Sequence, residues 1–282
     1  MKKHAFLIGA YKNPDYLLEL IDSLDSERSN FYIHVNKYND STFSDFKNKI
    51  VNRKNIHYYS SIKIRWGGSD LFKSQMLLCI EALKDNNDYF HFLTGQDILC
   101  RPLNEFFDYV ENNDACIISF SLLSNEEYDY RYSYFNLYDI LNVRSGAYLK
   151  KLNSLLVKIQ DVLHLKRKRI IFQNIYWGSA WWSLKRNACQ YLVDKWNNNH
   201  TLCKRIEYTF APDEMLVQTL LLNANSNFSI VNDNLHYMKW TGKPSPSTLT
   251  LQDYDEIKKS GKFFARKIDP ILSSSLIERM KK

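Results

Sequence analysis

The sequence predicts a single α/β domain with a mostly parallel central sheet flanked by helices. Between residues 4 and 120, apolar runs of strand length alternate with amphipathic helical patterns, as they do in repeated βαβ units. Hydrophobic residues make up 45% and charged residues 24% of the chain, which is typical of a globular domain. No linker-like or repetitive segment divides the 282 residues, so we expect one domain from residue 1 to residue 282.

The regular alternation lies in the first half of the chain. Strands are predicted from apolar runs at His4–Ala10, Phe31–Val35, Ile56–Tyr59, Tyr89–Leu93 and Ala115–Phe120. Helices are predicted from the spacing of apolar residues at Pro14–Leu24, Asp70–Leu83 and Leu103–Asn112. Pro14 is suited to a first helical turn because its ring fixes φ and the missing N–H has no partner there.

The second half is less regular. The Tyr-rich polar segment Glu126–Tyr138 indicates a loop. Helices are predicted at Ala147–Leu165, Lys185–Asn197, Asp213–Leu222 and Gln252–Lys259. Gly261 follows the last of them and is typical of a helix end.

Charge and cysteine usage restrict the class of protein. A net charge of +7 is compatible with nucleic acid, an anionic membrane or phosphorylated small molecules. The 5 cysteines contain no Cys-x-x-Cys pair, so we expect buried thiols in a reducing compartment. No apolar run has the length of a membrane span or a signal-peptide core, which predicts a cytoplasmic protein, with peripheral contact to the inner face of the cell membrane left open.

Two acidic motifs are candidates for chemistry. Pro212-Asp213-Glu214 places Glu214 at a helix start, where it can serve as a general base or simply as a helix-start acid. Asp253-Tyr254-Asp255 is the one Asp-x-Asp sequence of the chain. Because it opens a short helix, we interpret it as a helix start and expect no metal there.

Aromatic residues reach 15% of the chain and cluster next to small polar ones. The segment 175–183 contains three tryptophans around Gly178-Ser179, which can form a wall for a sugar ring or a buried aromatic strand. Segments 65–70 and 92–97 end in Asp70 and Asp97, one at a helix start and the other after a strand. Ligands bind beyond the carboxyl ends of parallel strands, which favours the second segment as a site.

The ordered set of segments resembles the core-2/I-branching β-1,6-N-acetylglucosaminyltransferase and xylosyltransferase family (glycosyltransferase family 14). The resemblance extends over His4–Ile8, Tyr32–Asn36, Trp66–Ser69, Thr94–Asp97, Gly178–Trp181, Pro212–Glu214 and Phe264–Lys267. It implies a GT-A-like, Rossmann-like fold, a UDP-sugar donor with N-acetylglucosamine as the first expectation, inversion at the anomeric carbon and no metal or other cofactor. Animal members carry a membrane anchor and a cysteine-rich domain, so this chain looks like a compact bacterial relative that builds a glycan.

The resemblance also implies roles for single residues. Glu214 matches the catalytic base, and Lys267 matches the basic residue that meets the UDP diphosphate. A second cation usually precedes that lysine, and the candidates are Lys243 and Arg266. Asn36 stands near the nucleotide where the family usually has Asp.

By the same correspondence, Asp97 lies near the donor sugar. Trp181, Arg131 and Trp66 are the candidates for acceptor contacts. We accordingly assign residues 1–125 to the nucleotide-sugar-binding half and residues 126–282 to the acceptor-binding and catalytic half. The expected partners are a UDP-sugar and a glycan or lipid-linked glycan acceptor, without nucleic acid.

Alternatives stay open at this point. A xylosyl- or glucosyltransferase would share the same motifs, because donor choice depends on the shape of the pocket. A non-catalytic sugar-binding protein would not need Glu214 beside cations, and a nucleic-acid-binding protein would fit the charge and the aromatics. The helix predicted after Ala147 carries lysines and leads into Lys166–Arg169, which predicts contact with an anionic membrane or a core-packed helix with a solvated basic back.

Overall fold

The computed structural model of the protein describes residues 1–123, 129–167, 172, 174–224, 228–242 and 245–281. The strands are β1 (His4–Ala10), β2 (Ser29–Val35), β3 (Ile56–Tyr59), β4 (Tyr89–Thr94), β5 (Asp97–Leu99), β6 (Cys116–Ile118), β7 (Ser121–Leu122), β8 (Tyr176–Trp177), β9 (Trp182–Lys185), β10 (Ile230–Val231), β11 (His236–Met238) and β12 (Phe264–Arg266). The helices of this part are α1 (Pro14–Leu24), α2 (Ser44–Ile50), α3 (Asp70–Leu83), α4 (Leu103–Asn113), α5 (Ala147–Val162), α6 (Arg186–Asn198), α7 (His200–Ile206), α8 (Leu216–Leu222), α9 (Tyr254–Ser260) and α10 (Ser274–Met280).

A seven-stranded sheet in the order β10-β6-β9-β4-β1-β2-β3 forms the centre. Strand β1 pairs in parallel with both β2 and β4, and β2 pairs in parallel with β3. Strand β9 runs antiparallel to its neighbours β4 and β6, and β10 is parallel to β6. The predicted α/β class with a mostly parallel sheet is therefore confirmed.

The central strand β1 separates two hydrophobic layers. Ala5 and Leu7 belong to the layer that also contains buried residues of α3 and α6, whereas Phe6 and Ile8 belong to the layer that contains α1 and α4. Successive side chains of a strand point to opposite faces, so an apolar run without polar interruption buries both faces at once. Helices cover both faces of the sheet for this reason.

Several elements of the second half differ from their predicted bounds. The helix predicted from Asp213 begins at Leu216, because Pro212–Glu214 forms a 3₁₀ turn and Met215 has a non-helical φ of −137°. The predicted loop Glu126–Tyr138 contains short helical turns at Asp129–Ser133 and Leu137–Asp139, and its residues 126–128 lie outside the described part.

Two small sheets lie beside the central sheet. Strand β12 pairs antiparallel with β5 and parallel with β11, while β7 pairs with β8. Strand β5 follows β4 after a two-residue turn, so its pairing places Arg266 and Lys267 near the carboxyl end of β4. Within the described ranges, no helix combines the length and the apolar character that crossing a bilayer requires.

Candidate active site

A cavity of about 1270 Å³ opens at the carboxyl ends of β1 and β4. The chain continues from β1 to β2 on one side of it, and β4 occupies the other side, so this is where the strand order reverses. Backbone hydrogen bonds hold the edges together: Gly95 N donates to Gly9 O at 2.9 Å and Asn36 N donates to Ala10 O at 2.8 Å. Such a switch point leaves a crevice that ligands occupy in open α/β sheets.

Glu214 reaches the cavity from the 3₁₀ turn before α8. Ala211 begins that turn at φ 48° and donates its N–H to Gly67 O at 2.7 Å. The carbonyl of Glu214 accepts from Gly178 N at 2.7 Å. A Cβ at position 178 would lie 1.8 Å from the carbonyl oxygen of Ser119, so only glycine allows the backbone to pass here. The position of Glu214 is thus fixed by backbone contacts on both sides.

The carboxylate of Glu214 is held by a basic partner that is itself stacked. Arg131 Nη1 donates to Glu214 Oε2 at 3.3 Å, and the guanidinium lies over the rings of Trp177 and Phe210, at 4.8 and 5.2 Å from their centroids. Burial raises the pKa of Glu214, and Arg131 opposes this rise. Burial and the charge of Glu214 raise the pKa of the neighbouring Asp213. A carboxylate with a raised pKa is a stronger base than an exposed one.

The cavity lining also contains a group of basic side chains. Lys12, Arg144, Arg266 and Lys267 all line the cavity. The pKa of Lys267 is lowered first by burial and then by the charges of Lys12, Arg266 and Arg144, which shows that these cations lie within electrostatic reach of one another. Like charges held together in a partly dry cavity favour an anionic ligand that relieves their repulsion.

Arg266 is the most buried of these cations. Its guanidinium stacks on Trp181, 3.8 Å from the ring centroid, and its Nε and Nη1 atoms have no hydrogen-bond partner among the described residues. Burial lowers the pKa of Arg266, and Asp97 opposes that effect. Buried N–H groups without a partner cost stability unless a ligand accepts their hydrogen bonds.

Asp97 lies beneath the cavity wall and does not line the cavity. Its carboxylate accepts from Thr94 N at 2.7 Å and Trp181 Nε1 at 3.0 Å, and it lies 3.7 Å from Arg266 Nε. Burial acts to raise the pKa of Asp97, but Arg266 and His236 outweigh it, and the pKa falls below its ordinary value. The sequence predicted a contact with the donor sugar, and the geometry instead gives Asp97 contact with two residues of the wall.

Asn36 lies on the β2 side of the cavity. Its side chain accepts from Ile64 N at 3.0 Å and donates to Ile64 O at 2.8 Å. The same amide oxygen accepts from Tyr38 N at 3.2 Å. Asn36 therefore holds together the segments that carry Tyr38 and Arg65, which line the cavity beside it.

The tryptophans divide between the cavity and the core. Trp177 and Trp181 line the cavity, whereas Trp182 is buried in the sheet and stacks on Phe92. Trp66 is exposed at the cavity, where Arg144 lies over its ring at 3.7 Å and Phe210 packs edge-on at 5.8 Å. The buried-strand interpretation is thus correct for Trp182, and the interpretation of Trp177 and Trp181 as a wall for a sugar ring stays a prediction.

Most of the predicted site residues lie at one place. The residues that line the cavity are Glu214, Lys267, Arg266, Asn36, Trp181, Arg131 and Trp66. Lys243, the other candidate cation, lies outside the described residues. Sequence reasoning missed Lys12 and Arg144, and the one signal for Lys12 was its place directly after β1.

The acidic residues give no indication of a metal centre in the part of the chain that is described. No group of three or more His, Cys, Asp or Glu side chains there has a metal-binding arrangement. Asp253 takes part in a capping box with Thr250 and binds Lys239 Nζ at 2.6 Å, which confirms the helix-start interpretation of the Asp-x-Asp sequence.

The amino-acid sequence is similar to those of known proteins. The family described as Core-2/I-Branching enzyme matches residues 4–260. Xylosyltransferase oxt of Drosophila melanogaster is 22% identical over 293 aligned positions, which cover 92% of this chain and 30% of that protein. The chain thus spans less than a third of that relative's length.

Among solved structures, the crystal structure of 4-diphosphocytidyl-2C-methyl-D-erythritol synthase from Anaerococcus prevotii superposes with a TM-score of 0.40 at 10% identity. The match covers 92% of this chain and 96% of that one. The family match includes Asn36, Trp181 and Glu214 of the cavity, and it ends before Arg266 and Lys267. The chain belongs to the core-2/I-branching enzyme family.

Proposed function

We propose that the protein is an inverting, metal-independent glycosyltransferase that moves a sugar from a UDP-sugar to a hydroxyl of a glycan acceptor and forms a β-linkage. N-acetylglucosamine is the first candidate for the sugar. One observation carries the proposal: a cavity at the strand switch point is lined by the half-buried carboxylate of Glu214 together with Lys12, Arg144, Arg266 and Lys267. A base and a group of cations are what a displacement with a diphosphate leaving group requires.

Glu214 is the general base of the reaction. Its carboxylate takes the proton from the acceptor hydroxyl while that oxygen attacks the anomeric carbon. The bond from the anomeric carbon to the diphosphate breaks, and UDP departs with the electron pair. The raised pKa of Glu214 supports this role because it strengthens the base, and the bond from Arg131 keeps the carboxylate oriented.

The cations bind the diphosphate and stabilise its developing charge. Lys267 supplies a point charge, and Arg266 offers N–H groups that no atom in the described part of the chain accepts. Lys12 and Arg144 add charge around Lys267. Fixed cations can carry out the charge stabilisation that a metal ion supplies in other transferases.

Asp97 acts as a positioning residue in this proposal. Its carboxylate accepts from Trp181 Nε1 and lies beside Arg266 Nε, so it fixes the plane on which the guanidinium rests. Stacking at 3.8 Å then limits the orientations open to Arg266. The donor contact predicted for Asp97 thus becomes an indirect one.

The aromatic wall supports a sugar acceptor. Trp66, Trp177 and Trp181 present ring surfaces to the cavity that contains Glu214. Aromatic rings pack against the apolar faces of sugar rings, and a side chain such as Arg131 can donate hydrogen bonds to sugar hydroxyls. A glycan, either free or linked to a lipid, is therefore the proposed acceptor class.

Xylose is the second candidate for the transferred sugar. The observation that favours it is the similarity to a protein named xylosyltransferase, which covers 92% of this chain. The two donors differ in the substituents at carbons 2 and 5 of the sugar ring, which a pocket distinguishes by shape and by hydrogen bonds.

A panel of UDP-sugars tests the proposal. The protein is incubated with a glycan acceptor and UDP-N-acetylglucosamine, UDP-xylose, UDP-glucose or UDP-galactose, and UDP release and the configuration of the new linkage are measured. We expect turnover with one donor, N-acetylglucosamine first, and a β-linked product from the α-linked donor. A product with an α-linkage would contradict the single displacement. Binding without turnover of any donor would favour a non-catalytic sugar-binding protein.

A further inference from the structure

Helix α5 has its polar and apolar faces reversed relative to an ordinary surface helix. The residues that it buries fully are Asn153 and Gln160. The apolar side chains at positions 148, 152, 155, 159 and 162 recur at helical spacing and are between 37% and 76% exposed. Exposed Leu163 and Leu165 extend this stripe beyond the helix end. Core packing of the leucine-rich face, one of the two interpretations from the sequence, is therefore wrong.

Specific polar bonds hold the helix in this orientation. Asn153 Oδ1 accepts from Leu137 N at 2.7 Å, and its Nδ2 donates to Asn136 Oδ1 at 3.1 Å. Gln160 Oε1 accepts from Phe135 N at 2.8 Å, and its Nε2 donates to Phe135 O at 3.0 Å. Buried amides paired with backbone are costly to break, so the apolar stripe cannot rotate inward without leaving them unsatisfied.

Lysines border the apolar stripe. Lys151 and Lys158 are exposed and lie seven residues apart. Each directly precedes a residue of the stripe. Seven residues are almost two helical turns, so both lysines lie along one side of the stripe. An apolar stripe with basic residues on its polar side is typical of helices that lie in the interface of an anionic membrane.

The helix begins next to the cavity. Asn142 and Arg144 line the cavity, and the turn Val143–Ser145 leads directly into Ala147. Arg144 also lies over Trp66 at the exposed side of the cavity. A surface bound along α5 would therefore lie beside the entrance through which an acceptor arrives.

We propose that the exposed face of α5 docks on the surface of an anionic lipid bilayer. The stripe is apolar enough to enter the boundary between headgroups and acyl chains, and Lys151 and Lys158 complement the negative surface charge. The net charge of +7 also favours binding to an anionic surface. This docking goes beyond the proposed transfer reaction, and it brings a lipid-linked acceptor to the cavity.

Arg167, in the basic segment after α5, contacts other parts of the protein. Arg167 Nη2 donates to the carbonyl oxygens of Arg205 and Glu207 at 2.8 and 2.6 Å, and its guanidinium stacks on Phe135. The hypothesis of membrane contact by Lys166–Arg169 is wrong for Arg167, and Lys168 and Arg169 lie outside the described residues. The docking proposal therefore rests on α5.

Co-sedimentation with vesicles tests the docking. The complete protein is mixed with vesicles of phosphatidylglycerol and phosphatidylcholine, or of phosphatidylcholine alone, and the bound fraction is measured. We expect binding to the anionic vesicles. The double variant Leu155→Glu, Ile159→Glu should lose at least about tenfold in affinity because it introduces charge into the stripe. The matched control Val51→Glu, Ile271→Glu adds the same charge at other exposed apolar positions and should bind as the unmodified protein does.

The lysines are tested in the same assay. Lys151→Gln with Lys158→Gln should weaken binding by about fivefold for each lysine, whereas Lys204→Gln with Lys259→Gln should not. Circular dichroism and UDP binding check that each variant is folded, and UDP binding also separates a failure of docking from a failure of the proposed function. Absence of binding to anionic vesicles, or equal binding by the stripe variant, would overturn the proposal. Self-association that the stripe variant abolishes, without vesicle binding, would assign the face to a second copy of the chain and equally overturn it.

Discussion

Replacing Glu214 by glutamine is expected to lower kcat by about a thousandfold and to leave the affinity for UDP unchanged. General base catalysis contributes roughly 10²- to 10⁴-fold to a rate, and a neutral amide cannot accept the proton. Glutamine has nearly the same shape as glutamate, so the backbone contacts from Gly178 and Ala211 remain. The rate of glycosyl transfer and a UDP titration measure the two quantities separately.

The pH dependence of the rate gives a second readout of the same residue. The base must be deprotonated to act, so kcat should decrease as the pH falls through the pKa of Glu214. Burial raises that pKa, which moves the acid limb of the profile above the pH range of an ordinary glutamate. The acid limb should be absent in Glu214→Gln.

Glu207→Gln provides the matched control for this substitution. Glu207 is partly exposed, forms an ion pair with Lys73 at 3.5 Å and does not line the cavity. Its replacement should leave the rate and the pH profile unchanged. A Glu214→Gln enzyme that retained more than a tenth of the activity with the acid limb intact would assign the base to another residue.

Replacing Lys267 by methionine is expected to raise the dissociation constant of UDP by roughly 10- to 100-fold, the range for one lost hydrogen bond to a charged group. Methionine keeps the unbranched chain but removes the charge that meets the diphosphate. Lys267 is only half-buried, and neighbouring cations already lower its pKa, so the protein without ligand should fold equally well. Isothermal calorimetry with UDP measures the effect.

Comparing the affinities for uridine and UDP distinguishes the contacts to the diphosphate from those to the nucleoside. The affinity for uridine should be almost equal in the unmodified protein and in Lys267→Met, because uridine has no phosphate. Lys259→Met removes an exposed lysine of α9 and serves as the control with unchanged affinity for both ligands. Equal losses of UDP and uridine affinity would show that Lys267 contacts the nucleoside or supports the wall, and the proposed diphosphate contact would be wrong.

The first half of the fold could be predicted because its elements carry local signals. The bounds of β1, α1, β3 and α3 agree with the predicted ones residue by residue. Strands β10, β11 and β12 were not predicted because they are two or three residues long. Elements of that length have no periodicity, and they form only because a neighbouring strand accepts their hydrogen bonds.

The site was predictable where a residue lies in a motif and not where packing brings it in. Glu214 lies within the family match, and Lys267 lies in a segment that the resemblance singled out. Arg144 reaches the cavity by stacking on Trp66, which lies far from it in sequence. Helix α5 shows a second limit: the period of its leucines predicts a helix, but the burial of Asn153 and Gln160 decides which face turns outward.

In the proposed mechanism, fixed cations take the place of a metal ion at the diphosphate. The most direct test compares the rate of transfer from the preferred UDP-sugar in excess EDTA with the rate in added Mg²⁺ or Mn²⁺. Because Lys12, Arg144, Arg266 and Lys267 already supply positive charge in the cavity, we predict equal rates under all of these conditions. Loss of transfer in EDTA that Mn²⁺ restores would contradict the claim and would require a metal ion at the diphosphate.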